Sequence, residues 1–167
     1  MDNEQRIARA VELFKMGYNC AQSVVAAFAD EYGYTEEQAL KMSASFGGGI
    51  GRMRETCGAA CGMFILAGLE TGCTDATDRQ GKADNYAFVQ RLAEEFKREN
   101  GSLVCAELLG LRERKPQPAM PEERTDTYYM KRPCVKMVET AAQIWANRKK
   151  SNKKCKNEKK FPDKNML

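Results

Sequence analysis

Cysteine is the residue type in this chain best equipped for chemistry, at positions 20, 57, 61, 73, 105, 134 and 155, and histidine is absent altogether. That absence removes a Cys-His nucleophile pair, histidine-liganded zinc and a CxxCH haem attachment at once. What remains for the thiols is disulfide exchange, or binding of a thiophilic metal or iron–sulfur cluster. No CxxC occurs, and zinc and cluster sites usually draw ligand pairs from residues two to four apart, so the spacing is a weak metal signal.

Those thiols need elements to position them, and the stretch from Phe46 to Gly72, FGGGIGRMRETCGAACGMFILAGLETG, is the centre of that arrangement. Gly47, Gly48, Gly49 and Gly51 cannot stay helical cheaply, so the chain turns there. A tight turn is the simpler reading of this knot; an anion-binding nest of its amides is the other, since neither GxGxxG nor GxxxxGK[ST] is present. The uncharged, small-residue run from Thr56 to Leu69 is too short to cross a bilayer and predicts a buried central helix over about 56–70. On such a helix Cys57 and Cys61 share a face with β-carbons about 5–6 Å apart, where a disulfide needs about 3.8 Å. A partner for Cys57 must therefore come from Cys20, Cys105 or Cys134.

The rest of the chain reads as helices. Ile7, Ala10, Val11 and Phe14 mark an amphipathic first helix ended by Gly17. Asn19 with Gln22, and Thr35 with Gln38, resemble capping boxes, the first putting Cys20 in the opening turn of a second helix. Thr56 is the expected N-cap of the central helix, Gly72-Cys73 its terminus, and Thr74 or Asp75 the cap of a long helix with a stripe of Tyr86, Val89, Ala93 and Phe96 that Phe88 and Leu92 widen. Ser102 is expected to cap a short helix carrying Cys105. Residues 112–121 form a proline-rich loop, and Pro133 opens a last helix whose face holds Cys134, Met137, Val138, Ala141 and Trp145. No strand-like alternation and no repeat is present. The expected fold is all-α, a single-domain bundle of about six helices around the central one.

Composition divides the chain unevenly. Residues 148–167 are basic: from Arg148 to Lys164 there are nine Lys or Arg and two acids, leaving the remainder a net −3 out of the total +4. The expected organisation is a helical redox-type domain over 1–147 and a disordered, solvated basic tail over 148–167, with Cys155 incidental to function. The tail lacks interleaved aromatics, so no nucleic-acid partner is expected. Without a secretory signal or a long apolar segment, no membrane span is expected, and the thiols point to a reducing, cytoplasmic setting.

Cys20, Cys57, Cys105 and Cys134 each fall in a predicted first helical turn and on the apolar face. Helix amino termini favour thiolates, and Arg52, Arg54, Lys131 and Arg132 push the same way. If these starts converge, they form one thiolate-stabilising pocket from segments 37, 48 and 29 residues apart. The leading reading makes all four catalytic, with Cys57 as a low-pKa thiolate exchanging with one of the others and Glu55 or Glu107 as proton acceptors. The second makes the same four, with Cys61 as a further ligand, a site for a thiophilic metal or iron–sulfur cluster; a cofactor-free site is equally compatible with the spacing. The third is a non-catalytic interaction module, the cysteines being merely small buried residues.

Asn19-Cys20-Ala21-Gln22-Ser23, the glycine knot, Cys57-Gly58-Ala59-Ala60-Cys61-Gly62, the stretch from Cys105 to Gly110, and Cys134 together resemble the C-GCAxxG-C-C family, whose members carry a CGAxxG motif, share four cysteines and are proposed to be redox-active. The likeness runs from about residue 5 to 147 and maps the shared cysteines onto Cys20, Cys57, Cys105 and Cys134. It implies a redox partner of unknown identity and association with a transport system. A related domain occurs in a haem-containing cytochrome; without histidine, this chain is not expected to hold haem in that manner. Cys61, Cys73 and the lysine tail are departures from the family pattern.

Overall fold

The computed structural model describes residues 1–112, 115 and 117–158, and of 150–158 the backbone alone. Among the described residues there are eight α-helices: α1 (Asn3–Lys15), α2 (Cys20–Ala26), α3 (Glu36–Ser43), α4 (Gly58–Thr71), α5 (Arg79–Asn100), α6 (Cys105–Leu108), α7 (Asp126–Lys131) and α8 (Cys134–Glu158). Short 3₁₀ turns at Ala29–Tyr32 and Ala44–Phe46 complete the helical set. No strand forms among these residues, so the all-α expectation holds; one isolated bridge joins Thr56 to Val104. No described helix is long and apolar enough to cross a membrane.

Both predicted capping boxes form. The Asn19 side chain accepts from Gln22 N at 3.0 Å while Gln22 Oε1 accepts from Asn19 N at 3.1 Å, and Thr35 with Gln38 repeats the exchange. Each satisfies two amides that a helix start leaves unpaired. Other boundaries moved. Cys57, not Thr56, is the N-cap of α4, and Asp78, not Thr74 or Asp75, caps α5 by accepting from Gly81 N. Val104 precedes α6, with Ser102 Oγ accepting from the Val104 amide. The stripe of α5 is also corrected: Phe88, Leu92 and Phe96 face inward, while Tyr86 is exposed.

The core lies where α4 meets α2, α5 and α8, with α1 against α8 on the outside. Its largest buried side chains are Trp145, Phe14, Phe28, Phe96, Leu13 and Met63, each contributing on the order of 1.5–3 kcal/mol by leaving water. Two glycines set the closest approach. A Cβ at Gly62 would lie 2.9 Å from the Val24 Cβ, and one at Gly58 would lie 2.7 Å from the Phe46 carbonyl and 3.2 Å from the Cys20 Cβ. One turn apart on α4, these positions let the first turn of α2 lie against the first turn of α4. The glycines of the CGAxxG run thus bring Cys20 up to Cys57.

At the other end, charge is buried. Arg148, which the charge count groups with the tail, is 6 % exposed and donates from Nε to Glu70 at 2.7 Å and from Nη2 to Glu31 at 3.3 Å. Arg6, equally buried, pairs with Asp30 and donates to the Ala27 carbonyl. Helix α8 itself continues past residue 147 to Glu158. The Cys155 side chain and residues 159–167 lie outside what the structure describes.

A thiol-lined cavity between four helix starts

Cys20, Cys105 and Cys134 are the first residues of α2, α6 and α8, and Cys57 is the N-cap of α4. All four line one cavity of about 410 Å³. A backbone clasp joins two of them: Cys57 N donates to the Leu103 carbonyl at 2.7 Å, Cys105 N to the Glu55 carbonyl at 2.6 Å and Ala106 N to the Arg54 carbonyl at 3.2 Å. Cys20 and Cys134 lie close enough across the cavity for each thiol to shift the titration of the other. The six cysteines with described side chains are all free thiols.

The glycine knot forms a wall of this cavity. From Gly48 to Arg52 every residue has positive φ, and Arg54 follows at 63°. Ile50, Arg52 and Arg54 are not glycine, and a left-handed conformation costs such residues about 1–2 kcal/mol each. The turn is held by amides donated back across it, Arg54 N to the Gly48 carbonyl at 3.2 Å and Glu55 N to the Gly49 carbonyl at 3.0 Å. What it achieves is the placement of Arg54, 4 % exposed, with Nη1 donating to Cys105 Sγ at 3.9 Å. Gly49 leaves no room for a substituent, since its Cβ would sit 2.6 Å from the Cys105 Cβ at a φ of +72°. Gly49→Ala is expected to destabilise the protein by about 1–3 kcal/mol in denaturant unfolding. An unchanged midpoint would mean that the knot is not seated against Cys105.

The electrostatics separate the four thiols. The Cys20 hydrogen bond, opposed by burial and aided by Arg132, Arg124 and Arg54, brings Cys134 down to about 7. Its donor Cys20 moves the other way, well up, because it gives that hydrogen bond, is enclosed and faces a neighbouring thiolate. Burial pushes Cys57 up to about 12 against the pull of the Ala59 and Ala60 amides, and raises Cys105 despite Arg54. The expectation of a low-pKa Cys57 is therefore corrected: desolvation outweighs the helix start there, and of these four thiols Cys134 is the one brought down. One charge in the cavity also disfavours a second.

The other candidates separate cleanly. Cys61 does not line the cavity; its thiol lies 3.9 Å from the Thr56 carbonyl and burial raises it to about 11. Cys73 sits at the far end of α4, against Asp78 Oδ2 at 3.4 Å, as a helix-end residue. Neither Glu55 nor Glu107 lines the cavity; among the described residues its one carboxylate is Glu122, paired with Arg132. Lys131 is exposed and faces a shallower neighbouring cleft. Arg124 lines the cavity and was not singled out from the sequence. Its guanidinium lies 4.6 Å from the Phe14 ring centroid and 4.7 Å from that of Tyr128, and its only signal was the aromatic pair Tyr128-Tyr129 after it. As they stand, no three His, Cys, Asp or Glu side chains among the described residues are grouped to hold a metal ion.

Fold and site together define an all-helical protein with a thiol-lined cavity. The chain belongs to the C_GCAxxG_C_C family, described as "Putative redox-active protein", whose family model matches residues 18–148. No curated protein and no solved structure matches it.

Proposed function

We propose that this protein exchanges electrons through thiol–disulfide chemistry in a reducing, cytoplasmic setting, with Cys134 as nucleophile and Cys20 as its resolving partner. The observation that carries the reading is the convergence of four helix-start cysteines on one cavity, within which Cys134, coupled to Cys20, is lowered to about 7. A low-pKa thiolate is the attacking species in such exchange, and a second thiol in the same cavity resolves the mixed disulfide. Cys57 and Cys105 then act as buried neighbours able to pass the oxidation on after a local rearrangement. Thiol counting on the native protein before and after a mild oxidant tests this. Two thiols of the four are expected to disappear and to return with dithiothreitol; loss of none rejects it.

The convergence of four cysteines on one cavity also supports a second reading, a thiophilic metal or iron–sulfur site. Because no three ligands are grouped among the described residues, that site would require the sulfurs to close up. Anaerobic purification with elemental analysis and an absorption spectrum separates the two readings: colourless, metal-free protein counts against the metal.

A further inference from the structure

The walls of the cavity are more basic than the redox reading requires. Arg52, Arg54, Arg124 and Arg132 line it, against Glu122 as the one carboxylate among the described residues. Two of the four are occupied: Arg132 pairs with Glu122, and Arg52 Nε donates to the Pro118 carbonyl at 2.8 Å. The other two are not fully satisfied. Arg54 Nε and Arg124 Nη1 are buried with no hydrogen-bond partner among the described residues, a state that native proteins rarely leave unexplained. Arg54 is held by the turn and by Cys105 Sγ, and Arg124 by the rings it stacks on and by the Tyr18 carbonyl, so both guanidiniums are already in place before anything arrives.

We infer that this cavity admits a small anionic disulfide, its carboxylates held by Arg54 and Arg124 while its sulfur–sulfur bond meets Cys134. The inference rests on the redox reading above and adds the substrate class. A volume of about 410 Å³ suits a molecule of that size, and guanidinium forks suit carboxylates. The Cys134 thiolate attacks one sulfur of the bound disulfide; that bond breaks, and the first half leaves with the electron pair and takes a proton from solvent. Cys20 then gives up its proton to solvent and attacks the Cys134 sulfur, releasing the second half, which is protonated in turn. The substrate is reduced to two thiols and the protein is oxidised to a Cys20–Cys134 disulfide.

The test is a charge series on the reduced full-length protein, mixed anaerobically for a single turnover with dithiodipropionate, hydroxyethyl disulfide or cystamine. Loss of protein thiols is followed, each rate being divided by that of the same disulfide with mercaptoethanol. The dianion is expected to react about tenfold faster than the neutral compound after this correction, and cationic cystamine slower than both. Arg54→Gln and Arg124→Gln should each shrink the anion-to-neutral ratio, a readout unaffected by any change in thiolate fraction because all three probes share it. The wild-type series decides the matter even if a variant fails to fold. Equal corrected rates overturn the anionic substrate and leave the redox reading standing; no thiol loss with any probe overturns both.

Discussion

The Cys134 peptide is expected to alkylate with iodoacetamide along a pH profile whose midpoint is about 7, and Cys20→Ala should move that midpoint upward. The direction follows from the causes: the Cys20 hydrogen bond is the largest influence holding Cys134 down, ahead of the three arginines. Below the midpoint the thiolate fraction falls tenfold per pH unit; above it the rate is flat. At pH 7 a thiol of pKa about 7 is roughly half ionised, whereas one at the ordinary 9.0 is about one part in a hundred ionised. The weaker base is also the weaker nucleophile, which takes back roughly eightfold, so Cys134 should react about sixfold faster than an ordinary cysteine. Cys134→Ser should abolish oxidant-induced loss of the thiol pair. A Cys134 midpoint near 9, unmoved by Cys20→Ala, would mean that the two sulfurs do not share a proton.

Arg148→Met is expected to cause the largest loss of stability, about 3–5 kcal/mol, or a melting temperature lower by about 6–20 °C for a chain of this size. Methionine keeps the apolar stem but leaves Glu70 without its guanidinium. Burial pushes the Glu70 carboxyl up, and hydrogen bonds from Arg148 and Tyr32 more than offset that, so it ionises below the ordinary range. A group depressed in the folded state stabilises above its unfolded pKa, and that contribution fades as pH falls through the folded value. The variant should therefore lose stability at neutral pH and show a weaker acid dependence between those two values. Glu70→Gln added to Arg148→Met should restore part of the loss, since the two effects are coupled through one contact. A melting temperature unchanged by Arg148→Met would show that residue 148 belongs to the tail rather than to the body.

That second result bears on how far the sequence could be read. Arg148 opens a run of lysines, and charge counting groups it with them; only the fold reveals Glu70 and Glu31 beside it, 78 and 117 positions away. Helix starts were legible where the signal is local, as at Asn19 with Gln22 and Thr35 with Gln38, because a capping box is written in four consecutive residues. The stripe of α5 was read one helical face too wide, and Tyr86 proved exposed because periodicity does not say which neighbouring rows reach a partner. Convergence of the four thiols was inferable from their shared position at helix starts. Which of them ionises was not, because burial of Cys57 and the Cys20–Cys134 hydrogen bond both depend on tertiary contacts. Arg124 lay in a stretch that carried no periodic signal, and it joins the cavity through aromatic stacking and a hydrogen bond to the Tyr18 carbonyl.

The most direct measurement is peptide mapping of the protein after mild oxidation under native conditions, with free thiols blocked before digestion. A crosslink between the peptides bearing Cys20 and Cys134 is the predicted result. Recovery of both as blocked free thiols, with oxidation confined to cysteines outside the cavity such as Cys73, would contradict it.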